Sequence, residues 1–303
     1  MDNLCHTLVG AALGEAGLKR LTPWGNAALM IAANLPDVDA VALLADTPHV
    51  ALRRGWTHGI VAQGLLPILL TGAIVAVDRA WARRRGREPR VRPAAMLFLA
   101  YVGVLSHVFL DYLNVYGVRL LKPLSDRWFY GDALFIIDPW LWIVLAAGVI
   151  MSRRWRSLVP AGTALGLAGL YIAGMMWLSS ASRQIVIKAW SDTYGGPPRA
   201  LMVGPVPLNP LEKEIIVDAG DRYVTGHIGW WPRQVRFERE PIMKNDDGPS
   251  VARAREHPDV RAVLVWARFP HYLTVPTESG VRVTLQDARY GPRVGATSVT
   301  VER

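Results

Sequence analysis

The sequence predicts an α-helical multi-pass membrane protein, with about six apolar helices, followed by a small, mainly β extramembrane domain. Apolar residues make up 51% of the 303 residues and are concentrated in the first ~180 positions. There they form runs of roughly 17–23 residues, which is long enough to cross the hydrocarbon core of a bilayer. After Ser180, proline, glycine and charged residues become more frequent, and apolar residues alternate with polar ones as they do in strands.

We therefore predict a helical membrane domain over residues 1–180 and a mainly β domain over residues 181–303. Six apolar segments are predicted in the first domain: Leu4–Leu18, Asn26–Ala45, Ile60–Val77, Ala94–Leu113, Leu134–Met151 and Leu158–Ser179. Pro36 interrupts the second segment, and Asp37 and Asp39 follow it directly. A broken helix with carboxylates at membrane depth is tolerated only where it is buried or lines a water-filled cavity. Four stretches of the second domain predict strands: Arg222–Trp230, Gln234–Glu240, Val260–Phe269 and Gly280–Gln286.

The net charge of +9 is unevenly placed along the chain. Two basic clusters, Arg79–Arg92 and Arg153–Arg156, adjoin apolar segments, as the cytoplasmic loops of inner-membrane proteins do. We expect these clusters on the cytoplasmic side of the cell inner (plasma) membrane. Neither interleaved aromatic residues nor a recognition-helix pattern accompanies the charge, so we expect no nucleic-acid partner.

Two ionisable residues lie within the fourth apolar segment. His107 and Asp111 are four residues apart, so a helix places them on one face. An imidazole and a carboxylate at that depth are costly to desolvate unless they pair or bind a ligand. A pair at this spacing is a common way to present two ligands to one metal ion. The alternative is a buried His–Asp hydrogen bond that holds two helices together.

The predicted metal ligands share an apolar surrounding in which each one is unexpected. They are three histidines and three aspartates: His6, Asp37, Asp39, His58, His107 and Asp111. Mixed nitrogen and oxygen ligands suit a borderline divalent ion, with Zn²⁺ first and Mn²⁺ or Fe²⁺ as alternatives. Six ligands suffice for one or two ions. The alternative is a polar network that joins helices, as in transporters.

Several spaced motifs carry a family resemblance. They are Met1-Asp2 with His6-Thr7 and Gly10, Asn34 to Asp39, Arg54 to His58, Ser106-His107 with Asp111-Tyr112 and Gly117, and Asp138-Pro139-Trp140. On these motifs, residues 1–145 resemble the YdjM-like, LexA-regulated family of predicted membrane-bound metal-dependent hydrolases. The resemblance implies a multi-pass membrane protein with metal-dependent hydrolase activity, and it implies no particular substrate.

A more distant similarity concerns the order His, Asp, His and then His-x-x-x-Asp. This order is similar to the zinc-dependent phospholipase C and single-strand nuclease superfamily, in which such residues contribute to a multi-zinc phosphodiesterase site. The second His-x-x-x-acid pair of that superfamily has no counterpart here after Asp111. The analogy therefore implies one or two ions rather than three.

The predicted function is a membrane-bound metal-dependent hydrolase that activates water to cleave an ester or phosphoester of a lipid-like, membrane-associated substrate. Metal-bound water has its pKa lowered from ~15.7 toward ~7. Asp37 is the predicted general base, and Arg54 is predicted to hold an anionic substrate group. Alternatively, Arg54 is an interfacial cation that pairs with Asp46 or with a lipid headgroup. The alternative functions are a polar-lined membrane transporter and a non-catalytic membrane scaffold.

The placement of the predicted site follows from the basic clusters. His6, His58 and Asp111 lie at the opposite end of their segments from those clusters, so the site and the C-terminal domain are expected on the non-cytoplasmic side. The loop after the His-x-x-x-Asp segment is predicted to line a substrate entrance. Its candidate residues are Asn114, Arg119, Asp126, Trp128, Tyr130, Asp132 and Asp138, of which Asp138 is alternatively a helix N-cap ahead of Pro139.

Overall fold

The computed structural model describes residues 1–44, 53–291 and 296–302. Two residues named in the predictions lie outside these ranges. They are Ala45, the last residue of the second predicted segment, and Asp46, the alternative partner of Arg54. The chain divides into two compact units. The first comprises Met1–Asp39 and Arg54–Trp177, and the second comprises Ala40–Arg53 and Leu178–Arg303.

The first unit is built from helices and short 3₁₀ segments. Its helices are α1 (Asn3–Glu15), α2 (Gly25–Ala32), α3 (Ile60–Arg84), α4 (Pro93–Tyr112), α5 (Pro139–Trp155) and the first part of α6 (Val159–Tyr194). The 3₁₀ segments are Leu18–Arg20 and the first part, to Asp39, of Leu35–Leu44. The Asp138 carboxylate accepts a hydrogen bond from the amide of Leu141 at 3.1 Å, and Pro139 occupies the first position of α5. Asp138 is therefore the N-cap that the sequence allowed for.

Three helices of the described residues are long and apolar enough to cross a membrane: α3, α4 and α6. The predicted count of six crossings is not supported by the described residues. Helices α1 and α2 have 13 and 8 residues, whereas a helix needs about 20 residues to span a core of about 30 Å. The 17 residues of α5 include Arg153 and Arg154 in its last turn. These shorter helices bury part of their apolar residues, such as Leu29 and Leu145, while Ile143 and Ile150 of α5 are exposed.

Small residues bring α2 close to its neighbours. Helix α2 packs against both α1 and α4. A Cβ atom on Gly10 would lie 2.8 Å from the carbonyl oxygen of Leu29, and a Cβ atom on Gly103 would overlap that of Ala32. Such contacts between backbones are typical of helices that pack within membranes. They place the start of the Leu35–Leu44 segment beside the last turns of α4.

The second unit contains two antiparallel sheets. The five-stranded sheet has the order β1-β2-β3-β4, with β5 paired to β3. Its strands are β1 (Ala200–Val206), β2 (Asn209–Asp218), β3 (Arg222–Trp230), β4 (Arg233–Phe237) and β5 (Ile242–Met243). The three-stranded sheet consists of β6 (Pro270–Thr277), β7 (Gly280–Asp287) and β8 (Thr297–Val301). Val186 and Trp190, on the last part of α6, pack with Leu201, Ile215 and Ile228 into the core of the larger sheet.

The structure corrects one predicted strand. Helices α7 (Pro249–Glu256) and α8 (Pro258–Trp266) precede β6, and α8 covers most of the predicted strand Val260–Phe269. Pro258 suits the first turn of a helix. The buried residues Val260, Val263 and Trp266 recur at a spacing of three, which is a helical period. The predictions for Arg222–Trp230, Gln234–Glu240 and Gly280–Gln286 are confirmed by β3, β4 and β7 to within a few residues.

Candidate metal centre

Four of the six predicted ligands converge in the first unit. Atoms able to bind a metal ion on Asp37, His58, His107 and Asp111 all lie within 4.8 Å of one another, and all four residues are buried. Asp37 lies on the Leu35–Leu44 segment, His58 lies just before α3, and the other two lie in the last turns of α4. The i,i+4 spacing thus places His107 and Asp111 on the face that meets the other two residues.

His107 is held in one tautomer by the backbone. Its Nδ1 atom lies 2.7 Å from the carbonyl oxygen of Ala33, which accepts only from a protonated nitrogen. In the neutral ring the Nε2 atom of His107 therefore carries a lone pair. That atom points into the cluster, as it does in a metal-binding histidine oriented by a carbonyl group.

His58 is oriented by a hydroxyl group and a carboxylate. The Thr57 hydroxyl donates to Asp39 Oδ2 at 2.8 Å, so its oxygen accepts from His58 Nδ1 at 2.9 Å. The Nε2 atom of neutral His58 then also carries a lone pair, and it lies 3.1 Å from His107 Nε2. Two lone pairs that face each other at this distance repel unless a positive charge, a proton or a metal ion, is shared between them. The pair of rings, with Asp111 Oδ2 3.3 Å from His58 Nε2, is thus a candidate site for a cation.

Asp39 takes a different place from Asp37. Its Oδ2 atom accepts from the backbone amide of Arg54 at 2.7 Å as well as from Thr57, and it lies 3.5 Å from His58 Nδ1. Asp39 therefore contacts the outward nitrogen of His58 and lies outside the group of four. A carboxylate in this position fixes the ring orientation of a metal-binding histidine.

His6 lies against the cluster. Its ring stacks on that of His107, with centroids 3.8 Å apart, and its Nε2 atom lies 3.3 Å from Asp111 Oδ1. His6 thus lies beside the Oδ1 atom of the Asp111 carboxylate. A second ion on this side of Asp111 stays a prediction, as does the ligand role of each of the six residues.

Arg54 is buried beside Asp111. Its Nε and Nη2 atoms lie 2.7 and 2.9 Å from the two carboxylate oxygens of Asp111, and its Nη1 atom donates to Asn114 Oδ1 at 2.8 Å. Its guanidinium group lies 4.7 Å from the centre of the Tyr116 ring. Arg54 balances the buried charge of Asp111, and its role in holding an anionic substrate group stays a prediction.

The two aspartates after Pro36 differ in acidity. Burial, together with the negative charge of Asp111, raises the pKa of Asp37. Burial also acts to raise the pKa of Asp39, but the nearby imidazole of His58 and hydrogen bonds from Thr57 and the Arg54 amide outweigh it and lower that pKa. Asp39 is thus held as a carboxylate, whereas Asp37 binds protons more readily.

The loop after α4 packs against the Arg54 segment. The backbone amide of Arg119 donates to the carbonyl oxygen of Arg54 at 2.9 Å. The guanidinium group of Arg119 lies 4.9 Å from the centre of the Trp128 ring. Asn114 and Arg119 are buried, whereas Asp126 is exposed and lies 3.7 Å from Arg119. Two of the predicted entrance residues therefore support the site from within.

Sequence reasoning missed several groups that contact or orient the cluster. Among them are the amino group of Met1, which donates to Asp111 Oδ1, the hydroxyl of Thr57, the ring of Tyr116 and the carbonyl of Ala33. The position of Thr57 directly before His58 could have indicated this role, because polar groups near a metal-binding histidine often form a hydrogen bond with the ring nitrogen that does not bind the metal. A backbone carbonyl leaves no signal in the sequence.

A cavity of about 470 Å³ opens beside Asp37. Its lining is mostly apolar and includes Met30, Ile31, Leu35 and Val38. The side chains of Ile31 and Val38 are exposed. Asp37 therefore contributes both to the buried cluster and to the wall of an open apolar cavity.

Comparison with known proteins identifies the family. The sequence profile of the YdjM inner membrane protein family matches residues 1–180. The chain belongs to this family. The four clustered residues all lie within the matched range, and the family together with α3, α4 and α6 makes this a membrane protein.

The YdjM family match is accompanied by a more distant relative. The uncharacterized protein YfhP of Bacillus subtilis (strain 168) is 26% identical to this chain over 160 residues. The similarity covers 49% of this chain and 45% of that protein, so the chain spans less than half the length of this relative. No solved structure matches the chain.

Proposed function

We propose that this protein is a membrane-bound metal-dependent hydrolase that cleaves an ester or phosphoester bond of a lipid-like substrate. The observation that carries the proposal is the 3.1 Å approach of His58 Nε2 to His107 Nε2 beside the carboxylates of Asp37 and Asp111. Buried groups in this arrangement attract a cation, and membership of a membrane family supports the choice of a lipid-like substrate.

The donor set fits a transition metal ion. Asp37, His58, His107 and Asp111 would hold it, through two imidazole nitrogens and two carboxylates. This set suits Zn²⁺, with Mn²⁺ or Fe²⁺ as alternatives, and His6 would serve a second ion. A divalent ion supplies Lewis acidity, which lowers the pKa of water from ~15.7 to ~7 in well-characterised hydrolytic sites.

The chain's own residues supply orientation and proton transfer. Asp37 lies at the cavity wall, where a carboxylate oxygen would act as the general base toward water. Thr57 and Asp39 keep His58 in the orientation that presents Nε2. Arg54 keeps a fixed positive charge next to Asp111, where an anionic ester oxygen is stabilised electrostatically.

The cavity favours a substrate with an apolar tail. Ile31 and Val38 are exposed beside Asp37 in a chain that belongs to a membrane family. A phospholipid or another lipid-linked ester would place its polar bond near Asp37 while its tail remains in an apolar surrounding. Water is available at such a boundary as the nucleophile.

The experiment is an incubation of purified full-length protein with total membrane lipid, followed by mass spectrometry of the products. We expect products that disappear after chelation, return when Zn²⁺ or Mn²⁺ is added, and are lost in His58→Ala. The control is His227→Ala, because His227 is half-exposed on β3 and lies outside the cluster. Products that survive both chelation and His58→Ala would exclude this function.

A further inference from the structure

Large apolar side chains are exposed at one end of the five-stranded sheet in the second unit. Trp231, between β3 and β4, is 91% exposed, and Leu208, between β1 and β2, is 66% exposed. Leu211, near the start of β2, is also more than half exposed. We call these three residues the apolar tip. Exposed aromatic and aliphatic side chains that cluster in this way mark an interaction surface.

The pairing of the strands places the apolar tip at a single end of the sheet. Val206 pairs with Asn209 across the β1–β2 turn, and Trp230 pairs with Arg233 across the β3–β4 turn. Glu212 of β2 pairs with Gly229 of β3, so both turns lie beyond the same end of these two strands. The turn between β2 and β3, which contains Asp221, therefore lies at the opposite end.

A hydrogen bond ties the apolar tip to the end of the apolar part of α6. The indole nitrogen of Trp230 donates to Ser182 Oγ at 2.8 Å, and Ser182 is buried. Helix α6 carries no charged residue from Val159 to Ser182, and Arg183 is the first charge after that stretch. At about 1.5 Å per residue this stretch covers a hydrocarbon core of about 30 Å. Ser182 is thus the last residue of the uncharged stretch of α6.

The rest of α6 follows the sheet toward its other end. Beyond Ser182, Trp190 lies 5.5 Å from the ring of Phe237, which pairs with Gly226 in the middle of β3. The sheet is therefore aligned along the last part of α6, with the apolar tip at the Ser182 end of that part.

We infer that the apolar tip of the second unit inserts into the lipid–water interface next to α6. The occupant is the bilayer itself, because the tip is joined through Trp230 and Ser182 to a helix that spans it. Tryptophan is enriched at membrane interfaces, where its ring sits among the headgroups. Arg233, which follows the tip on β4 and is exposed, suits anionic headgroups.

The test uses spin labels on the full-length protein in nanodiscs of equal parts phosphatidylethanolamine and phosphatidylglycerol. Labels are attached at Trp231→Cys and Leu208→Cys, with Asp221→Cys as the matched control at the opposite end of the sheet. The native Cys5 is buried, and unsubstituted protein serves to measure any labelling there. Collision with oxygen reports exposure to lipid, and collision with a water-soluble nickel chelate reports exposure to water.

We expect oxygen to relax the labels at positions 231 and 208 several-fold more than the nickel chelate does, and the reverse at position 221. Equal access of the nickel chelate to all three labels would show that the tip lies in water and would overturn the inference. Protection from both reagents at positions 231 and 208 would indicate contact with another protein chain and would overturn it as well.

Discussion

At the scale of single residues, the cluster depends on groups that do not themselves face a cation. Thr57 bridges Asp39 and His58, and the carbonyl of Ala33 holds His107. Each bond selects the proton position on the outward nitrogen, and the inward nitrogen is then free to accept a cation. Metal affinity should therefore respond to substitutions at these positions.

The first prediction concerns Thr57. Thr57→Val keeps the shape of the side chain but removes the hydroxyl, so His58 loses the group that fixes its tautomer. We expect metal affinity to fall by ~10–100-fold, the usual range for loss of such a partner. Thr57→Ser, which keeps the hydroxyl, should bind metal almost as the wild type does. Competition with a chromophoric chelator measures both, and equal affinity in Thr57→Val would contradict the role given to Thr57.

The second prediction concerns a buried ion pair in the second unit. Asp287 accepts from Arg289 Nε at 3.0 Å and Nη2 at 2.9 Å, and both side chains are buried. Burial acts against the charged form, but Arg289 and the backbone amides of Arg289 and Arg268 lower the pKa of Asp287. The pair therefore stabilises the fold above the usual aspartate pKa of ~3.9, and this stability is lost as the pH falls through the lowered value.

In Asp287→Asn the charge of Arg289 remains buried without its partner, which costs about 3–5 kcal/mol of unfolding free energy. Hydrogen exchange of β6 and β7, corrected for the intrinsic effect of pH, measures this loss. The acid dependence of protection should also be weaker in the variant. Asp221→Asn, on an exposed turn, is the control. Unchanged protection in Asp287→Asn would contradict the importance of the pair.

At the scale of elements, helix packing determines whether the cluster forms. The 3₁₀ segment that carries Asp37 follows α2, and α2 lies against α4 where Gly103 meets Ala32. A third prediction follows. Gly103→Ala adds a methyl group that overlaps Ala32, so α2 must shift away from α4, and such overpacking costs about 1–3 kcal/mol.

Because the shift moves Asp37 relative to His107, we expect Gly103→Ala to lose metal while it still inserts into membranes. The matched control is Gly72→Ala on α3, where an added Cβ atom meets nothing within 4 Å. Metal analysis after purification from membranes measures both variants. Full metal retention in Gly103→Ala would show that the cluster does not depend on this packing.

Some elements were predictable from sequence and others were not, for identifiable reasons. Strand β7 alternates between buried and more exposed residues from Val283 to Asp287, and its range was predicted to within one residue. Strand β1 has five consecutive buried residues, so it lacks the alternation that marks a strand. Within the site, Asp37, His107 and Asp111 were visible as ionisable residues in apolar segments, and His58 comes just before one. The separation of Asp39 from this group depends on the chain path around Thr57, which spacing alone does not determine.

At the scale of the whole molecule, the direction of insertion is a prediction. The basic loop between α3 and α4 is expected on the cytoplasmic side, and the cluster at the other end of these helices is expected on the opposite side. A non-cytoplasmic C-terminal unit further requires that α5 crosses the membrane together with α6, although α5 has 17 residues.

The fourth prediction tests this orientation with a membrane-impermeant maleimide on right-side-out vesicles. Asp126→Cys and Asp221→Cys should react, whereas Glu88→Cys should react only after permeabilisation. All three native side chains are exposed, so differences in labelling report the side of the membrane. Reaction of Glu88→Cys in intact vesicles would contradict the orientation. Protection of Asp221→Cys alone would show that α5 does not cross.

The central claim is that polar side chains on separate helices meet to bind a metal ion, and the most direct test is elemental analysis of the purified full-length protein. We expect about one or two transition-metal ions per chain, lost in His58→Ala, His107→Ala and Asp111→Ala and retained in His227→Ala. Wild-type protein that takes up no divalent metal, or variants that retain it fully, would contradict the claim and favour a transporter or scaffold with a polar helix interface.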